Sequence, residues 1–399
     1  MSPLTARAHP GITPRLVVGA AGRRPLTLAE EYDLGTYAPA PASSLIGELE
    51  RAGLRGRGGA GFPAHIKWRA VVAADGPRVV VANGEEGEPA SYKDRWLLTH
   101  RPHAVLDGLI VAADAVNARR AIVYLSHPST VSAVRAAIAE LPPALAGRVE
   151  THVVPHRYVA GEESAACRSI NGGPALPVAK PPRPSESGVD ERPTLVSNVE
   201  TLVHAAWIAR HGAAAYQSYG TAESPGTGLA TFTGACARPG VYEVPYGPPL
   251  RELLAACPGE APEDIPGLLM GGWFGGVATT AVLDVAWCYD ALRAAGSSLG
   301  CAAVTVLAAR ERIAEVAARL ARWYAAESAQ QCGVCRKGTA AIADALDRVR
   351  DVVADQADYD NLSRWGTALR GRGACAFLDG AANLARTTID TATLKEQLT

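Results

Sequence analysis

The first part of the sequence that could do chemistry is a glycine-rich segment that reads Gly56-Arg57-Gly58-Gly59-Ala60-Gly61. Consecutive glycines let backbone N–H groups approach an anion closely, and Arg57 and Lys67 supply positive charge nearby. The segment fits the G-x-G-x-x-G dinucleotide pattern, but a predicted helix precedes it where that pattern needs a strand, so a Rossmann fold is disfavoured. We predict a phosphate-binding loop; the alternative is a flexible surface loop.

Three further polar segments stand where strands end or helices begin. Asn83 to Pro89 contains three carboxylates and directly follows the apolar run Val79 to Ala82. Open α/β sheets bind ligands at the carboxyl ends of their strands, so these carboxylates could accept hydrogen bonds from ribityl or ribose hydroxyls. Tyr158 to Glu163 and Ser197 to Thr201 each open a predicted helix. The respective alternatives are a solvated acidic turn, an acidic helix N-terminus and an ordinary helix cap.

The last candidate is a group of cysteines near the C-terminal end of the chain. Cys332 and Cys335 form a C-x-x-C pair, and Cys375 follows 40 positions after the second of them. This spacing allows metal ligation, by zinc for example, and equally allows small buried thiols. The other five cysteines show no ligand spacing and are interpreted as core thiols: Cys167, Cys236, Cys257, Cys288 and Cys301.

The elements that must position these residues change in character along the chain. Residues 1–44 are rich in Pro and Ala and predict an N-terminal arm with a candidate strand at Leu16 to Val18. From 45 to 225, short β-branched runs alternate with helical stretches, which predicts an α/β domain whose parallel sheet has helices on both faces. Residues 226–306 are typical of a small α+β module. Residues 307–399 repeat apolar positions at helical spacing and predict a helical bundle.

Composition narrows the class of protein. The chain has 399 residues, 39 Lys and Arg against 40 Asp and Glu, and 48% hydrophobic side chains. Several cores are expected at this length, and a near-neutral charge argues against a nucleic-acid partner. The apolar runs are too short and too interrupted by acids to span a bilayer, and no export signal is recognised, so we expect a cytoplasmic protein with reduced cysteines.

The order and spacing of the polar segments resemble one family: the NADH-binding FMN flavoprotein subunits of respiratory complex I and the related diaphorase subunits of soluble hydrogenases and formate dehydrogenases. Gly53 to Trp68 is similar to the family's loop GLRGRGGAGFPTGLKW, and Asn83 to Arg95 is similar to its segment NADESEPGTCKDR. Tyr158 to Glu163, Lys180 to Pro184 and Ser197 to Thr201 are similar to its YICGEE, KPPFP and NNVET segments. The resemblance runs from about residue 25 to residue 390.

This resemblance implies the cofactors and the residues that hold them. FMN is expected to lie against residues from all of these segments: Gly56, Arg57, Gly58, Gly59, Lys67, Asn83, Glu85, Tyr158, Gly161, Glu162, Asn198 and Thr201. NAD(P)H is expected near Phe62, Glu88, Glu163, Lys180 and Arg183. Glu88 and Glu163 are expected beside the nicotinamide, while the redox chemistry belongs to the flavin and no side chain is expected to be catalytic. The resemblance further implies that residues 226–306 form a ubiquitin-like β-grasp domain and that the helical bundle holds an iron-sulfur cluster.

The sequence departs from the family pattern at the cluster. Aligned on neighbouring family positions, the first cluster cysteine is replaced by Ala329, while Cys332, Cys335 and Cys375 remain as metal ligands. Three thiolates do not supply the usual four ligands. We expect a 4Fe-4S cluster with an open or non-cysteine fourth site, or a 3Fe-4S cluster; the alternative is no cluster.

A second departure concerns the nucleotide. Of the three aromatic rings that the family stacks on adenine, only Phe62 remains, because Ala70 and Arg183 occupy the other two positions. The leading hypothesis is an FMN-dependent oxidoreductase component that takes hydride from NAD(P)H and passes electrons to a ferredoxin-like or thioredoxin-like iron-sulfur partner, which could tie it to the periphery of a membrane complex. The alternatives are an electron-transfer flavoprotein that no longer uses nicotinamide and a redox-inactive scaffold subunit.

Overall fold

The computed structural model describes residues 5–259 and 261–390. Its strands are β1 (Ala6–Ala8), β2 (Arg78–Asn83), β3 (Ala118–Leu125), β4 (Val149–Val153), β5 (Thr194–Asn198), β6 (Thr227–Gly234), β7 (Gly240–Pro245), β8 (Leu268–Leu269), β9 (Val277–Ala278) and β10 (Ala303–Val306). Its α-helices are α1 (Leu28–Asp33), α2 (Leu45–Ala52), α3 (Ala64–Ala73), α4 (Lys93–His100), α5 (Pro102–Ala115), α6 (Pro128–Glu140), α7 (Pro143–Ala146), α8 (Glu163–Ile170), α9 (Val199–Tyr216), α10 (Leu250–Ala256), α11 (Tyr289–Ala294), α12 (Ile313–Glu327), α13 (Gly333–Arg350), α14 (Gln356–Ala368) and α15 (Phe377–Asp390).

The first sheet is parallel throughout, with strand order β4-β3-β2-β5. Strands β2 and β5 and the second half of β3 are buried on both faces, as expected for a sheet covered on both sides, whereas the edge strand β4 is partly exposed. In β2, Val80 faces a core that includes residues of α2, α5 and α9, whereas Val79 and Val81 face a second core with α8. The α/β prediction is therefore confirmed, and the two faces differ: several helices cover one, and one short helix with its flanking loops covers the other.

Register brings two predicted polar segments together at one edge of this sheet. Asn83 is the last residue of β2, and it pairs in register with Asn198, the last residue of β5. Both segments therefore end side by side at the carboxyl edge, where ligands are expected to bind.

The second sheet is mixed, with strand order β1-β7-β6-β10-β8-β9. Strands β6 and β7 form an antiparallel hairpin, and β10 lies parallel to β6. Helix α10 packs in the core of this module through Leu250, Leu253 and Leu254. The division of the chain at residues 44, 225 and 306 stays a prediction.

The prediction of a strand at Leu16 to Val18 was wrong. The backbone N–H groups of Arg15, Leu16 and Val17 all donate to the buried carboxylate of Glu243, at 2.8–3.1 Å. A side chain thus takes the donors that a neighbouring strand would have taken. The arm enters a sheet earlier, through β1, which runs parallel to β7.

Helices α12 to α15 form the C-terminal bundle. Apolar residues at helical spacing, including Ile313, Val316 and Leu320 of α12, share one core with α13 and α15. Cys332 and Cys335 lie at the start of α13, and Cys375 lies two residues before α15. Within the described residues, no helix is both long enough and apolar enough to cross a membrane.

Candidate functional site

A cavity of about 470 Å³ opens at the carboxyl edge of the parallel sheet. Its volume lies in the range of small-molecule and cofactor sites. All residues predicted from the resemblance to contact FMN line this cavity: Gly56, Arg57, Gly58, Gly59, Lys67, Asn83, Glu85, Tyr158, Gly161, Glu162, Asn198 and Thr201.

The residues predicted for NAD(P)H are less completely assembled. Phe62, Glu88 and Glu163 line the cavity. Lys180 is held at its edge by hydrogen bonds to Glu162 (2.8 Å) and Glu163 (2.9 Å). Arg183 is exposed and does not line the cavity.

The glycine loop connects α2 to α3 and leaves open space on its cavity side. The hydrogen bond from Gly56 N to the carbonyl of Phe62 (2.8 Å) closes the loop. A Cβ added at Gly58 would meet nothing nearer than Asn198 Cβ at 3.5 Å, and one at Gly59 nothing nearer than 3.9 Å. Packing within the protein therefore does not demand glycine at position 58. A loop that keeps this space free fits a bound phosphate-bearing cofactor such as FMN.

The Arg57 side chain does not supply positive charge to an anion in the cavity, as the sequence had suggested. Its guanidinium is buried, donates to Tyr216 Oη (2.8 Å) and the Thr227 carbonyl (3.1 Å), and stacks on the Tyr246 ring at 4.6 Å. Its backbone N–H donates to Thr201 Oγ1 at 2.8 Å. Arg57 thus ties the glycine loop to α9 and the second sheet, and its charge is not directed at an anion in the cavity.

Lysines and glutamates form a charged network along one wall. Lys67 Nζ donates to Glu163 Oε2 (2.7 Å) and to the Val196 carbonyl (2.9 Å). Burial alone would raise the pKa of Glu163, but Lys67, together with Lys180, brings that pKa down to about 2. The Glu162 carboxylate also caps α8 by accepting from Ser164 N at 2.8 Å. Glu163 is therefore ionised. Glu162 and Glu163 belong both to the acidic start of helix α8 and to the predicted cofactor site.

The acidic turn after β2 is buried, so it is not the solvated turn that was the alternative. Glu85 Oε1 lies 2.9 Å from His156 Nδ1. Burial raises the pKa of Glu85, and the contact with His156 opposes that rise. Glu88 accepts from Trp273 N at 2.7 Å, and burial raises its pKa to about 7. Near neutral pH, Glu88 therefore holds its proton part of the time.

A buried charge cluster behind the cavity was not recognised from the sequence. Lys93 Nζ lies 2.7 Å from Asp94 Oδ1 and 2.8 Å from Glu200 Oε2. Asp94 in turn accepts from Asn198 Nδ2 at 2.7 Å, while Asn198 Oδ1 caps α9 by accepting from Glu200 N. Lysine is seldom fully buried unless it is paired. The Lys-Asp pair at the start of α4 gave no signal of its own, because charged pairs at helix starts are common on surfaces.

Aromatic residues join the cavity to the helical bundle. The Tyr158 ring packs edge-on against Trp323 and Phe377, each at 5.2 Å between centroids. Phe377 lines the cavity too, as do Phe274 and Cys301. The sequence interpretation treated Cys301 as a core thiol and did not name either phenylalanine. These three residues reach the cavity because the bundle and the second sheet pack against it, and local sequence patterns do not reveal that packing.

The three predicted metal ligands lie around one small cavity of about 10 Å³. Cys332, Cys335, Cys375 and Ala329 all line it. Among the described residues, no three Cys, His, Asp or Glu side chains converge closely enough to hold a single metal ion. A cluster differs from a single ion because each thiolate binds its own iron. The donors therefore fit an iron-sulfur cluster better than zinc.

The two cavities share a wall. Val159, Cys375 and Phe377 line both the large cavity and the cysteine cavity. A group bound in one would therefore be separated from a group bound in the other by single side chains.

Comparisons with known proteins agree with this geometry. Residues 49–207 match the Nuo51 FMN-binding domain, and residues 315–393 match the NADH-ubiquinone oxidoreductase-F iron-sulfur binding region. The mitochondrial NADH dehydrogenase (ubiquinone) flavoprotein 1 of Dictyostelium discoideum is 35% identical over 358 residues, which are 85% of this chain and 75% of the relative. NADP-reducing hydrogenase subunit HndC of Solidesulfovibrio fructosivorans is 32% identical over 373 residues, which are 89% and 75% of the two chains.

A solved structure shows the same fold. The crystal structure of NAD⁺-reducing [NiFe]-hydrogenase in the air-oxidized state contains a chain that superimposes with a TM-score of 0.81 at 32% identity. The match covers 94% of this chain and 67% of that one.

Fold, site and comparisons together define a class: flavoproteins in which an FMN-binding α/β domain and an iron-sulfur binding region belong to one chain. The chain belongs to the family of the NADH dehydrogenase flavoproteins and the related hydrogenase flavoprotein subunits. The resemblance inferred from the sequence is thereby confirmed, and the chain is an oxidoreductase subunit of the NADH dehydrogenase, or diaphorase, type.

Proposed function

We propose that this chain takes hydride from NAD(P)H at FMN and passes electrons singly through an iron-sulfur cluster to an iron-sulfur partner protein. The observation that carries the proposal is the wall shared by the two cavities, through Val159, Cys375 and Phe377. FMN supplies the hydride acceptance and the one-electron release. The protein's own contribution is to hold and orient the reactants beside the cluster site.

The residues of the large cavity divide into those that would hold FMN and those that would meet the nucleotide. The open backbone at Gly58 and Gly59 would admit the FMN phosphate. Glu163, kept ionised by Lys67, and the partly protonated Glu88 would face the nicotinamide end. One wall would thus carry fixed charge while Glu88 can hold a proton at a carboxyl oxygen.

The nucleotide would enter over Phe62. This ring lines the cavity and is 50% exposed. An exposed ring at a cavity mouth can stack on a base. Ala70 and Arg183 are also exposed, so Phe62 stands without the two further rings that the resemblance would supply. This observation favours the second candidate, a flavoprotein that exchanges electrons only between proteins.

Charge at the surface near the cysteines supports an iron-sulfur partner with an acidic face. Arg336, Lys337, Arg370 and Arg372, the basic rim, are exposed and make no ion pair with any described residue. Arg336 and Lys337 directly follow Cys335. A Cβ added at the next residue, Gly338, would lie 3.0 Å from the Leu369 side chain, so Arg336 and Lys337 lie near Arg370 and Arg372.

A basic rim beside the cysteines would steer a negatively charged partner to the place where electrons leave. A ferredoxin-like or thioredoxin-like iron-sulfur protein with an acidic surface fits this role. We place the chain in the cytoplasm, because all eight of its cysteines are free.

The test is the visible spectrum of anaerobically purified protein before and after addition of NADH or NADPH. The proposal expects flavin bands that the nucleotide bleaches. Flavin bands that dithionite bleaches and neither nucleotide bleaches would replace it with the second candidate. Absence of flavin would refute both.

A variant pair assigns the flavin to the glycine loop. Gly58→Trp places an indole in the open space and should abolish FMN retention, whereas Gly47→Trp, on α2 outside the cavity, should leave it unchanged. Equal flavin content in the two variants would contradict the assignment.

A further inference from the structure

The cysteine cavity offers three cysteine side chains and, at the position that the resemblance assigns to a fourth ligand, a methyl group. Ala329 lines the cavity beside Cys332, Cys335 and Cys375. None of the other five cysteines lines this cavity. Cys301, for example, lines the flavin cavity, where its Sγ lies 3.5 Å from the carbonyl oxygen of Gly271.

The side-chain oxygen atoms of two neighbouring residues, Gln331 and Ser328, are already engaged in contacts. The Gln331 side chain donates to the Pro177 carbonyl at 2.8 Å and accepts from Arg168 at 3.1 Å. The buried Ser328 hydroxyl lies 3.5 Å from Cys335 Sγ and accepts from Gln330 N at 3.3 Å. Gln330 also lines the cavity, and it is exposed to solvent. A fourth iron beside Ala329 would therefore have solvent or the Gln330 amide oxygen as its ligand in place of a protein thiolate.

We propose that the chain binds a site-differentiated 4Fe-4S cluster whose fourth iron is exchangeable, so that the cluster interconverts with a 3Fe-4S form according to iron supply and oxidation. The inference rests on the proposed function, because it takes cluster binding for granted. It adds a metal-exchange site, the corner of the cluster that faces Ala329, which responds to free ferrous ion.

The interconversion balances in atoms and electrons. The oxidised, diamagnetic 4Fe-4S cluster releases one ferrous ion, and the remaining core gives one electron to an added oxidant such as ferricyanide, so that all three irons become ferric. No bond to Cys332, Cys335 or Cys375 breaks. The reverse step takes up one ferrous ion and one electron from dithionite.

The experiment uses the full chain, loaded anaerobically with FMN, iron and sulfide, and then oxidised stepwise with ferricyanide. The wild type should lose one of its four irons, retain its sulfide, and gain the near-isotropic EPR signal of an oxidised three-iron cluster. Ferrous ion with dithionite should restore the fourth iron and abolish the signal. Ala329→Cys should keep all four irons and stay EPR-silent on the same oxidation.

A matched variant controls for the added thiol. Ala326→Cys places a cysteine on the exposed face of α12, away from the cavity, and should behave as the wild type. Flavin content, measured on every sample, shows that each variant is folded.

Three results would overturn the inference: a wild type that keeps all four irons, a three-iron signal that persists in Ala329→Cys, or no cluster in any sample. NADH bleaching of the flavin in the same samples tests the proposed function separately. Bleaching without a three-iron signal refutes the exchangeable iron alone, while a three-iron signal without bleaching refutes the use of nicotinamide alone.

Discussion

Glu88 provides a test of how burial changes the pKa of a carboxyl group in the large cavity. Its side chain lies between the acidic turn and the backbone of Trp273, whose N–H donates to Oε1 at 2.7 Å. Burial raises its pKa from 4.5 to about 7. The perturbation is Glu88→Gln, which keeps an oxygen acceptor for Trp273 and removes the titration.

The magnitude follows from the pKa difference between the folded and unfolded states. A rise of about 2.5 units at about 1.4 kcal/mol per unit corresponds to a free-energy cost of about 3 kcal/mol when Glu88 is fully ionised in the folded chain. Below the unfolded-state pKa of 4.5, both states are protonated and the cost is absent. Above pH 4.5 the unfolded chain ionises while the folded carboxyl stays protonated, so the free energy of unfolding falls. This contribution is fully lost once the pH has risen through about 7 and the folded carboxyl ionises as well.

The assay is urea unfolding of the flavin-free wild type and Glu88→Gln at about pH 5 and about pH 8. The free energy of unfolding of the variant relative to the wild type should rise by about 2.5 kcal/mol between the two pH values. The control is Glu252→Gln, at an exposed position on α10. Its free energy of unfolding should differ from that of the wild type by the same amount at both pH values. A pH-independent difference for Glu88→Gln as well would refute the argument from burial.

Three further predictions concern the nucleotide, the partner and the core. Arg183→Phe should tighten NADH binding several-fold, by roughly 1 kcal/mol of stacking beside Phe62, measured as the NADH concentration that gives half the maximal rate of flavin reduction; an unchanged value would remove Arg183 from the nucleotide site. Lys337→Glu should slow electron transfer to an acidic iron-sulfur partner and weaken its dependence on salt, without changing flavin reduction by NADH; an unchanged rate would exclude the basic rim from docking. Arg101→Met should lower the free energy of unfolding by about 3–5 kcal/mol, because it leaves the buried carboxylate of Glu31 unpaired; a loss under about 1 kcal/mol in urea would show that water reaches Glu31.

Local sequence patterns predicted the parts of the fold that are set by local chemistry. The β-branched run at Val79 to Ala82 became a central strand, and the apolar positions at helical spacing after residue 307 became the helices of the C-terminal bundle. Asn83 was predicted directly after a strand and Asn198 at the start of a helix. The two residues pair in register, and both line the cavity. Hydrophobic periodicity and turn residues act over a few neighbouring positions, so helices, strands and turns can be predicted from them in a single sequence.

Features that depend on partners far along the chain were not predicted. Leu16 to Val18 has the composition of a strand, but the buried Glu243 carboxylate takes its N–H groups. Arg57 stands in a glycine loop, yet its guanidinium turns to Tyr216 and the second sheet. In each case a single buried charge decides the outcome, and the two residues that meet lie more than 150 positions apart.

The junction between Arg15 and Glu243 also sets an order of events during synthesis. The two residues are 228 positions apart, so the arm cannot reach its partner until more than half of the chain has been made. At about 5–20 residues per second, that interval is roughly 10–45 s. Throughout it, Leu16 and Val17 lack the carboxylate that orders them, and the nascent chain presents an unpaired apolar arm. Residues 5–17 therefore belong to the part of the first half that cannot reach its native contacts until Glu243 has been synthesised, and a chaperone bound to the nascent chain would have that interval in which to act on them.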